Sequence, residues 1–126
     1  MVNSRQAMHA KLAAVLPVTW TVMATAREFD TDPSVPAYVA MMRQQVAPAP
    51  NARGAWMETF HVWVITPSLS DSPELEDNLD GLLDEVLMAF NLDDTIYLDS
   101  ATRDVYGEKG LHCWLCNVQA ISVRID

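Results

Sequence analysis

The order of secondary-structure patterns along the chain limits its fold more than any other feature. One amphipathic helix pattern covers residues 73–90 and stands between three strand-like stretches before it and two after it. Apolar residues recur along one side of this helix at helical spacing, and acids occupy much of the remaining surface. This order favours the α+β class, in which helices pack on one face of a mostly antiparallel sheet.

The start of that helix is marked by Ser72-Pro73-Glu74. These residues combine a capping hydroxyl, a proline in the first turn and an acid near the positive end of the helix dipole. The face predicted to pack on the sheet consists of Leu75, Leu79, Leu82, Leu83, Val86, Leu87 and Phe90.

The first half of the chain predicts one short helix and three strands. The helix covers residues 4–16, and residues 18–25 alternate between apolar and polar side chains as a half-buried strand does. Further strands are predicted over residues 38–46 and 56–66. The last of these is apolar on both faces, so we expect a central strand whose second face is covered by a neighbouring subunit.

Two turn regions complete the order α-β-β-β-α-β-β. Residues 48–54 combine proline, asparagine and glycine and predict an exposed loop. Residues 107–110 predict the turn of a hairpin with strands over 95–106 and 111–125. In the last strand, apolar residues change from even to odd positions after Ala120, which indicates a bulge or burial of opposite faces by different partners.

Size and charge exclude several classes of protein. A chain of 126 residues and 14.0 kDa is expected to form one domain over residues 1–126. The net charge is −9, and residues 71–126 carry thirteen acids against three Lys and Arg, so sequence-specific binding of nucleic acid is not expected. The sequence predicts no membrane span and no signal peptide, and two cysteines are too few for a disulfide scaffold. We therefore expect a protein of the cytoplasm.

Cys113 and Cys116 have the spacing of a redox or zinc motif, but their setting argues against both. In a strand, residues three apart point to opposite faces, and the sequence does not supply four zinc ligands. The acids of the helix favour a solvated face over a calcium loop or a catalytic carboxylate pair. Nucleophile and phosphate-loop motifs are also missing from the sequence. We therefore predict no catalytic, cofactor-binding or metal-binding residue, and no enzyme.

Trp63 and Trp114 are candidate interface residues, because both stand in strands that look apolar on both faces. Burial of both rings in the core is an equal alternative. The seven methionines and four tryptophans of the chain indicate core and interface rather than a cofactor site.

The element order, the acidic helix and a following strand resemble the tail terminator, or tail completion, proteins of long-tailed phages. The likeness covers nearly the whole chain, and the segments that carry it are Pro73-Glu74-Leu75-Glu76-Asp77-Asn78-Leu79-Asp80-Gly81-Leu82-Leu83-Asp84 and Ser100-Ala101-Thr102-Arg103-Asp104-Val105-Tyr106. The resemblance implies a structural virion protein that forms a ring, typically of six subunits, at the head-proximal end of the tail tube. Such a ring ends tube polymerisation and joins the tube to the head connector.

The resemblance also implies partners and residue roles. The protein would be assembled in the host cytoplasm, reside in the virion tail or neck, and contact itself, the tail tube protein and the connector protein. The loop of residues 48–54 would reach toward the tube or the connector. DNA would pass through the ring without specific binding, because an acidic lumen does not retain it. The candidate lumen acids are Glu74, Asp77, Asp80 and Asp84. The arginines expected to pair with acids across subunits are Arg43, Arg53 and Arg103.

Other functions remain open at the level of sequence. A head-completion or connector protein would belong to the same structural class. A small acidic binding module or chaperone would be a monomer with one exposed groove. An acid–base enzyme would require a deep pocket that holds at least two of the acids.

Overall fold

A computed structural model of the chain describes residues 4–50, 54–67 and 73–123. Its elements, in chain order, are helix α1 (Ser4–Val15), strands β1 (Thr21–Val22), β2 (Tyr38–Pro48) and β3 (Ala55–Ile65), helix α2 (Pro73–Asn91), and strands β4 (Ile96–Tyr106) and β5 (Leu111–Val123). This order confirms the predicted α+β class and the succession α-β-β-β-α-β-β.

One five-stranded sheet contains these strands in the order β1-β2-β3-β5-β4. β1 lies parallel to β2, and the other neighbouring pairs are antiparallel. β2 and β5 therefore run in one direction, and β3 and β4 run in the other. The predicted hairpin of β4 and β5 is confirmed, and Gly107 and Gly110 give its turn the left-handed φ angles of 70° and 71°. Residues 51–53 of the predicted loop 48–54, and the predicted helix cap Ser72, lie outside the described residues.

Both helices pack on the same face of the sheet, as predicted. Met8 and Leu12 of α1 and the predicted apolar side of α2 meet every second residue of the three central strands, because alternate residues of a strand share one face. Burial of each large aliphatic side chain contributes about 1.5–3 kcal/mol. The sheet residues of this core are Val39, Met41, Phe60, Val62, Val64, Cys116 and Val118.

The opposite face of the sheet is covered at one end by the chain itself. The segment between β1 and β2 places Met23, Phe29 and Val35 in a second apolar cluster on this face. The Tyr106 hydroxyl donates a hydrogen bond to the Arg27 carbonyl oxygen at 2.8 Å, which fixes the segment to the end of β4. A neighbouring subunit was expected to cover this face of β3. At the end of the sheet where the segment lies, this expectation is wrong, because the chain covers the face itself.

The strand predicted over residues 18–25 is much shorter than expected. Only Thr21 and Val22 pair with β2, and the Trp20 amide donates to the Pro17 carbonyl oxygen at 3.0 Å in a turn. Val18 is 97% exposed whereas Trp20 is buried, so the alternating residues do not share one face. The alternating pattern predicted too long a strand, because the chain leaves the sheet edge after two residue pairs and continues into the second cluster.

The irregularities of the sheet lie in its outer long strands rather than in β5. β5 pairs with β3 without interruption, whereas register shifts occur between Arg43 and Gln45 in β2 and between Leu98 and Ser100 in β4. The predicted change of apolar phase in β5 is therefore not a bulge. Ile121 faces away from the helices and is exposed.

Candidate interaction surfaces

Both long edges of the sheet are open among the described residues. β4 pairs only with β5, and beyond Val39 the outer side of β2 has no partner strand there. An open edge presents backbone N–H and C=O groups that can pair with a strand of another chain. Since β2 and β4 run in opposite directions, β4 of one copy would lie antiparallel to β2 of a second copy placed head to tail.

The bulges of the two open edges flank the same row of the sheet, one on each side of it. Phe60 of β3 pairs with Val118 of β5. The bulge of β2 directly follows Arg43, the partner of Phe60, and the bulge of β4 directly follows Leu98, the partner of Val118. A bulge bends its strand and increases the local twist. The two edges therefore bend within one residue row of each other.

The sheet face opposite the helices remains open beyond the second cluster. Met42, Tyr97 and Ile121 are large apolar side chains exposed on this part of the face. Half-buried polar residues such as Asn117 and Gln119 lie between them. The surface therefore combines apolar and polar side chains, which is typical of protein–protein interfaces that also hold water.

The two candidate interface tryptophans lie on opposite faces of the sheet. Trp63 is half-buried, and its ring centroid lies 5.6 Å from that of Tyr106 and 5.7 Å from that of His61, both edge to face. Trp63 also lines an open cleft of about 370 Å³. Its role in a subunit interface stays a prediction. Trp114 lies beneath α2, where its indole N–H donates to the Leu79 carbonyl oxygen at 3.1 Å. Trp114 thus takes part in the packing of its own chain, in line with the core alternative.

Arg43 is engaged within its own chain. Its Nη1 lies 3.7 Å from Oε2 of Glu58 and donates to Oγ of Ser4 at 3.2 Å. Glu58 is buried, and Ser4 also donates to it, so the three side chains connect the start of α1 to β2 and β3. Arg53, the second candidate arginine, lies outside the described residues.

Arg103 is likewise engaged within its own chain. It pairs with Glu76 of α2, and its Cζ lies 5.6 Å from the centroid of the Trp114 ring. The side chain thereby joins β4, β5 and the first turns of α2. Pairing of Arg43 and Arg103 across subunits stays a prediction, and such pairing would have to compete with these partners.

The four candidate lumen acids share the outer surface of α2. All four are exposed, and the apolar side of the helix faces the sheet. The first turn carries its acids at the positive end of the helix dipole, where they stabilise the helix. The four candidate lumen acids are Glu74, Asp77, Asp80 and Asp84. Their position in a ring lumen stays a prediction.

The cysteine pair is built for packing rather than for chemistry. Cys116 belongs to the core beneath the helices and Cys113 to the second cluster, so the two thiols lie on opposite faces, as predicted. Burial raises the pKa of each thiol to about 12. The thiolate, which is the nucleophile and the metal ligand, is therefore strongly disfavoured. Among the described residues, no three His, Cys, Asp or Glu side chains are grouped closely enough to hold a metal ion.

Sequence reasoning missed an apolar groove between the end of α1 and the end of α2, which we call the α1–α2 groove. Its cavity volume is about 230 Å³. Two apolar side chains that line it are exposed, Val15 by 47% and Leu92 by 75%, and Met88, which precedes Ala89 in α2, is exposed by 66%. The available signal was that Met88 and Leu92 fall outside the predicted apolar side of α2. The groove is lined by Lys11, Leu12, Ala14, Val15, Ala89, Leu92, Asp93 and Ile96.

An ion pair closes one side of this groove. Lys11 Nζ lies 3.0 Å from Oδ2 of Asp93 and donates to Oγ1 of Thr95 at 3.0 Å. The Thr95 hydroxyl and amide donate to Oδ1 of Asp93 at 2.5 and 2.8 Å. These hydrogen bonds, with the smaller effect of Lys11, lower the pKa of Asp93 to about 2. The carboxylate is therefore ionised throughout the physiological range.

In the described part of the chain, the fold and these surfaces define a small α+β protein with two open sheet edges and an apolar groove. No model of a known protein family matches the chain, and no curated protein matches it. None of the helices in the described part of the chain is both long enough and apolar enough to cross a membrane.

Proposed function

We propose that this protein is a non-enzymatic structural protein of a phage tail, which forms a ring on the head-proximal end of the tail tube. The ring ends tube polymerisation and joins the tube to the head connector, as the resemblance to tail terminators implies. The observation that carries the proposal is the pair of open sheet edges that run in opposite directions.

Head-to-tail pairing uses a different patch on each side of the subunit, and such contacts close into a ring when the rotation between copies allows it. In this joint β4 of one copy pairs antiparallel with β2 of the next, with Leu98 opposite Arg43, so that the two bulges flank one row of paired residues. Every sheet then presents the same face to the ring axis. If the helical layer faces the axis, the exposed acids of α2 line the lumen, where they repel the DNA backbone.

The first experiment measures molar mass by light scattering, for the protein alone and mixed with the tail tube protein of the same phage. Electron microscopy of the mixture then gives the lengths and ends of the tubes. A ring, or tubes of fixed length capped at one end, is the expected result. A monomer that leaves tube growth unchanged would overturn the proposal and favour the small acidic binding module.

A crosslinking experiment tests the joint itself. Gln45 pairs with Thr59, Thr59 with Gln119, and Gln119 with Tyr97, so Gln45 and Tyr97 lie at one level on the two edges. In a joint that places Leu98 opposite Arg43, the Cα atoms of Gln45 and Tyr97 would be about 4.5–5.5 Å apart, which suits a disulfide.

The double variant Gln45→Cys/Tyr97→Cys should give covalent oligomers up to the ring size on mild oxidation. The two single variants are the matched controls and should remain uncrosslinked in the head-to-tail ring. Dimers of Tyr97→Cys alone would instead indicate a two-fold β4–β4 contact. The native thiols are buried and do not interfere.

A further inference from the structure

We propose that the α1–α2 groove binds an apolar segment of a different protein, and that this segment carries Lys or Arg beside its apolar anchor residues. This inference goes beyond ring formation and does not depend on it. The groove is formed by the helical layer of a single chain, so its binding can be measured whether the protein is a monomer or a ring.

The apolar part of the argument rests on exposure at the rim of the groove. Val15 and Leu92 stand on its two sides, and Leu12, Ala89 and Ile96 lie deeper and are buried. Large apolar side chains grouped around a concavity mark an interaction surface, because their burial by a partner removes apolar area from water. The cavity of about 230 Å³ is below the usual range for drug-sized ligands, so one or two side chains of a peptide fit it better.

The charge around the groove defines the flanks of the partner segment. Lys11 is the single cation among the described residues that line the groove, and Asp93 already neutralises it. Asp94 is exposed next to this pair, and Glu85 lies one helical turn before Ala89 on the same side of α2. The surroundings are therefore net negative. Basic residues beside the apolar anchors would complement them and would raise the rate of association.

The same charges disfavour a second copy of this chain as the occupant. The protein carries 17 acids against 8 Lys and Arg, and α2 contributes acids without a basic residue in its last turn. Two such helical layers brought together would place like charges opposite each other, which costs free energy in a partly desolvated interface. A basic amphipathic segment lying in the groove avoids this repulsion and is a common mode of peptide recognition.

The test uses two synthetic helices with leucines at positions i, i+3, i+4 and i+7. One carries lysine at the other positions, and its counterpart carries glutamate. Binding to the full-length protein is measured by fluorescence anisotropy at low and high salt, and the site is located by amide chemical-shift changes in NMR spectra. The variants Val15→Ser and Leu92→Ser remove rim side chains that are already exposed, so the fold is retained. Val105→Ser is the matched control, because Val105 is 55% exposed on β4 and does not line the groove.

The lysine helix should bind the wild-type protein and the Val105→Ser variant equally. It should bind the two rim variants about tenfold more weakly, because loss of an anchor side chain weakens an interface by this order. Its affinity should fall with salt, and the shifts should cluster at the ends of α1 and α2. Equal binding to all variants, shifts located elsewhere, or equal binding of the glutamate helix would overturn the proposal. Concentration-dependent self-association that Leu92→Ser abolishes would also overturn it, because the occupant would then be a second copy.

Discussion

The guanidinium carbon of Arg103 lies 5.6 Å from the centre of the Trp114 ring, on the face of the sheet that α2 covers. The Trp114 N–H binds the Leu79 carbonyl oxygen, and Arg103 pairs with Glu76 in the first turn of the same helix. The two side chains thus hold the first half of α2 to the hairpin of β4 and β5.

Replacement of Arg103 by alanine should lower the free energy of unfolding by about 1–2 kcal/mol, since it removes a half-buried cation–π contact and an ion pair. Urea denaturation followed by tryptophan fluorescence gives this value. Arg103→Lys keeps the charge but not the planar group, and it should lose part of the stability. If Arg103→Lys were as unstable as the alanine variant, the planar contact alone would account for the effect.

Glu58 is buried beneath the start of α1, and its replacement by glutamine should destabilise the fold by about 1–3 kcal/mol. The reason is that Arg43 and Ser4 would lose a charged acceptor in a place with little access to water. Thermal unfolding followed by circular dichroism measures the change. The matched variant Glu76→Gln alters an exposed carboxylate and should cost less than about 1 kcal/mol. Equal effects of the two variants would contradict the importance of burial.

Asp93→Asn should lower stability at neutral pH and have little effect at pH 2. The pKa of Asp93 is lowered from 3.8 to about 2 in the folded chain, chiefly by hydrogen bonds from Thr95. Its contribution is therefore fully present above about pH 4 and is lost as the pH falls towards 2. Urea denaturation of both proteins between pH 2 and pH 7 tests this, with Asp94→Asn as the neighbouring exposed control. A stability difference that persists unchanged at pH 2 would contradict the assignment.

Neither cysteine should react with iodoacetamide in the folded protein at pH 8. With a pKa of about 12, only on the order of one thiol in ten thousand is ionised at that pH, and burial also blocks access. Mass spectrometry should show no added group on the native protein after minutes and two after denaturation. Rapid labelling of native Cys113 or Cys116 would show that its strand opens.

The sequence predicted those helices, strands and turns whose residue pattern reflects which of their own sides is buried or which turn they form. α2 begins with a proline and has a full apolar side, and its observed span, Pro73–Asn91, differs from the prediction by one residue at its end. β3 was predicted as a central strand because one of its faces packs on the helices and the other is partly covered by the second cluster. The hairpin of β4 and β5 was predicted because Gly107 and Gly110 supply the left-handed conformations that its turn requires.

The surfaces were not predictable in the same way, because they depend on residues distant in sequence. Residues 18–25 alternate like a strand, yet only two of them find a partner before the chain leaves the edge. The pairs of Arg43 with Glu58 and of Arg103 with Glu76 form only when the strands and helices assemble. The groove likewise exists only because the ends of α1 and α2 stop short of closing over Leu12 and Ile96.

The sequence by itself thus determined the class of fold, the order of its elements and the inert setting of its cysteines, since these follow from periodicity and turn chemistry within short segments. Only the tertiary structure decided which sheet edges are open, that they run in opposite directions with bulges that flank one row, and where an apolar groove lies. The physical reason is that strand pairing and helix packing bring together backbone groups and side chains from distant segments. No local pattern specifies which of them remain exposed after assembly.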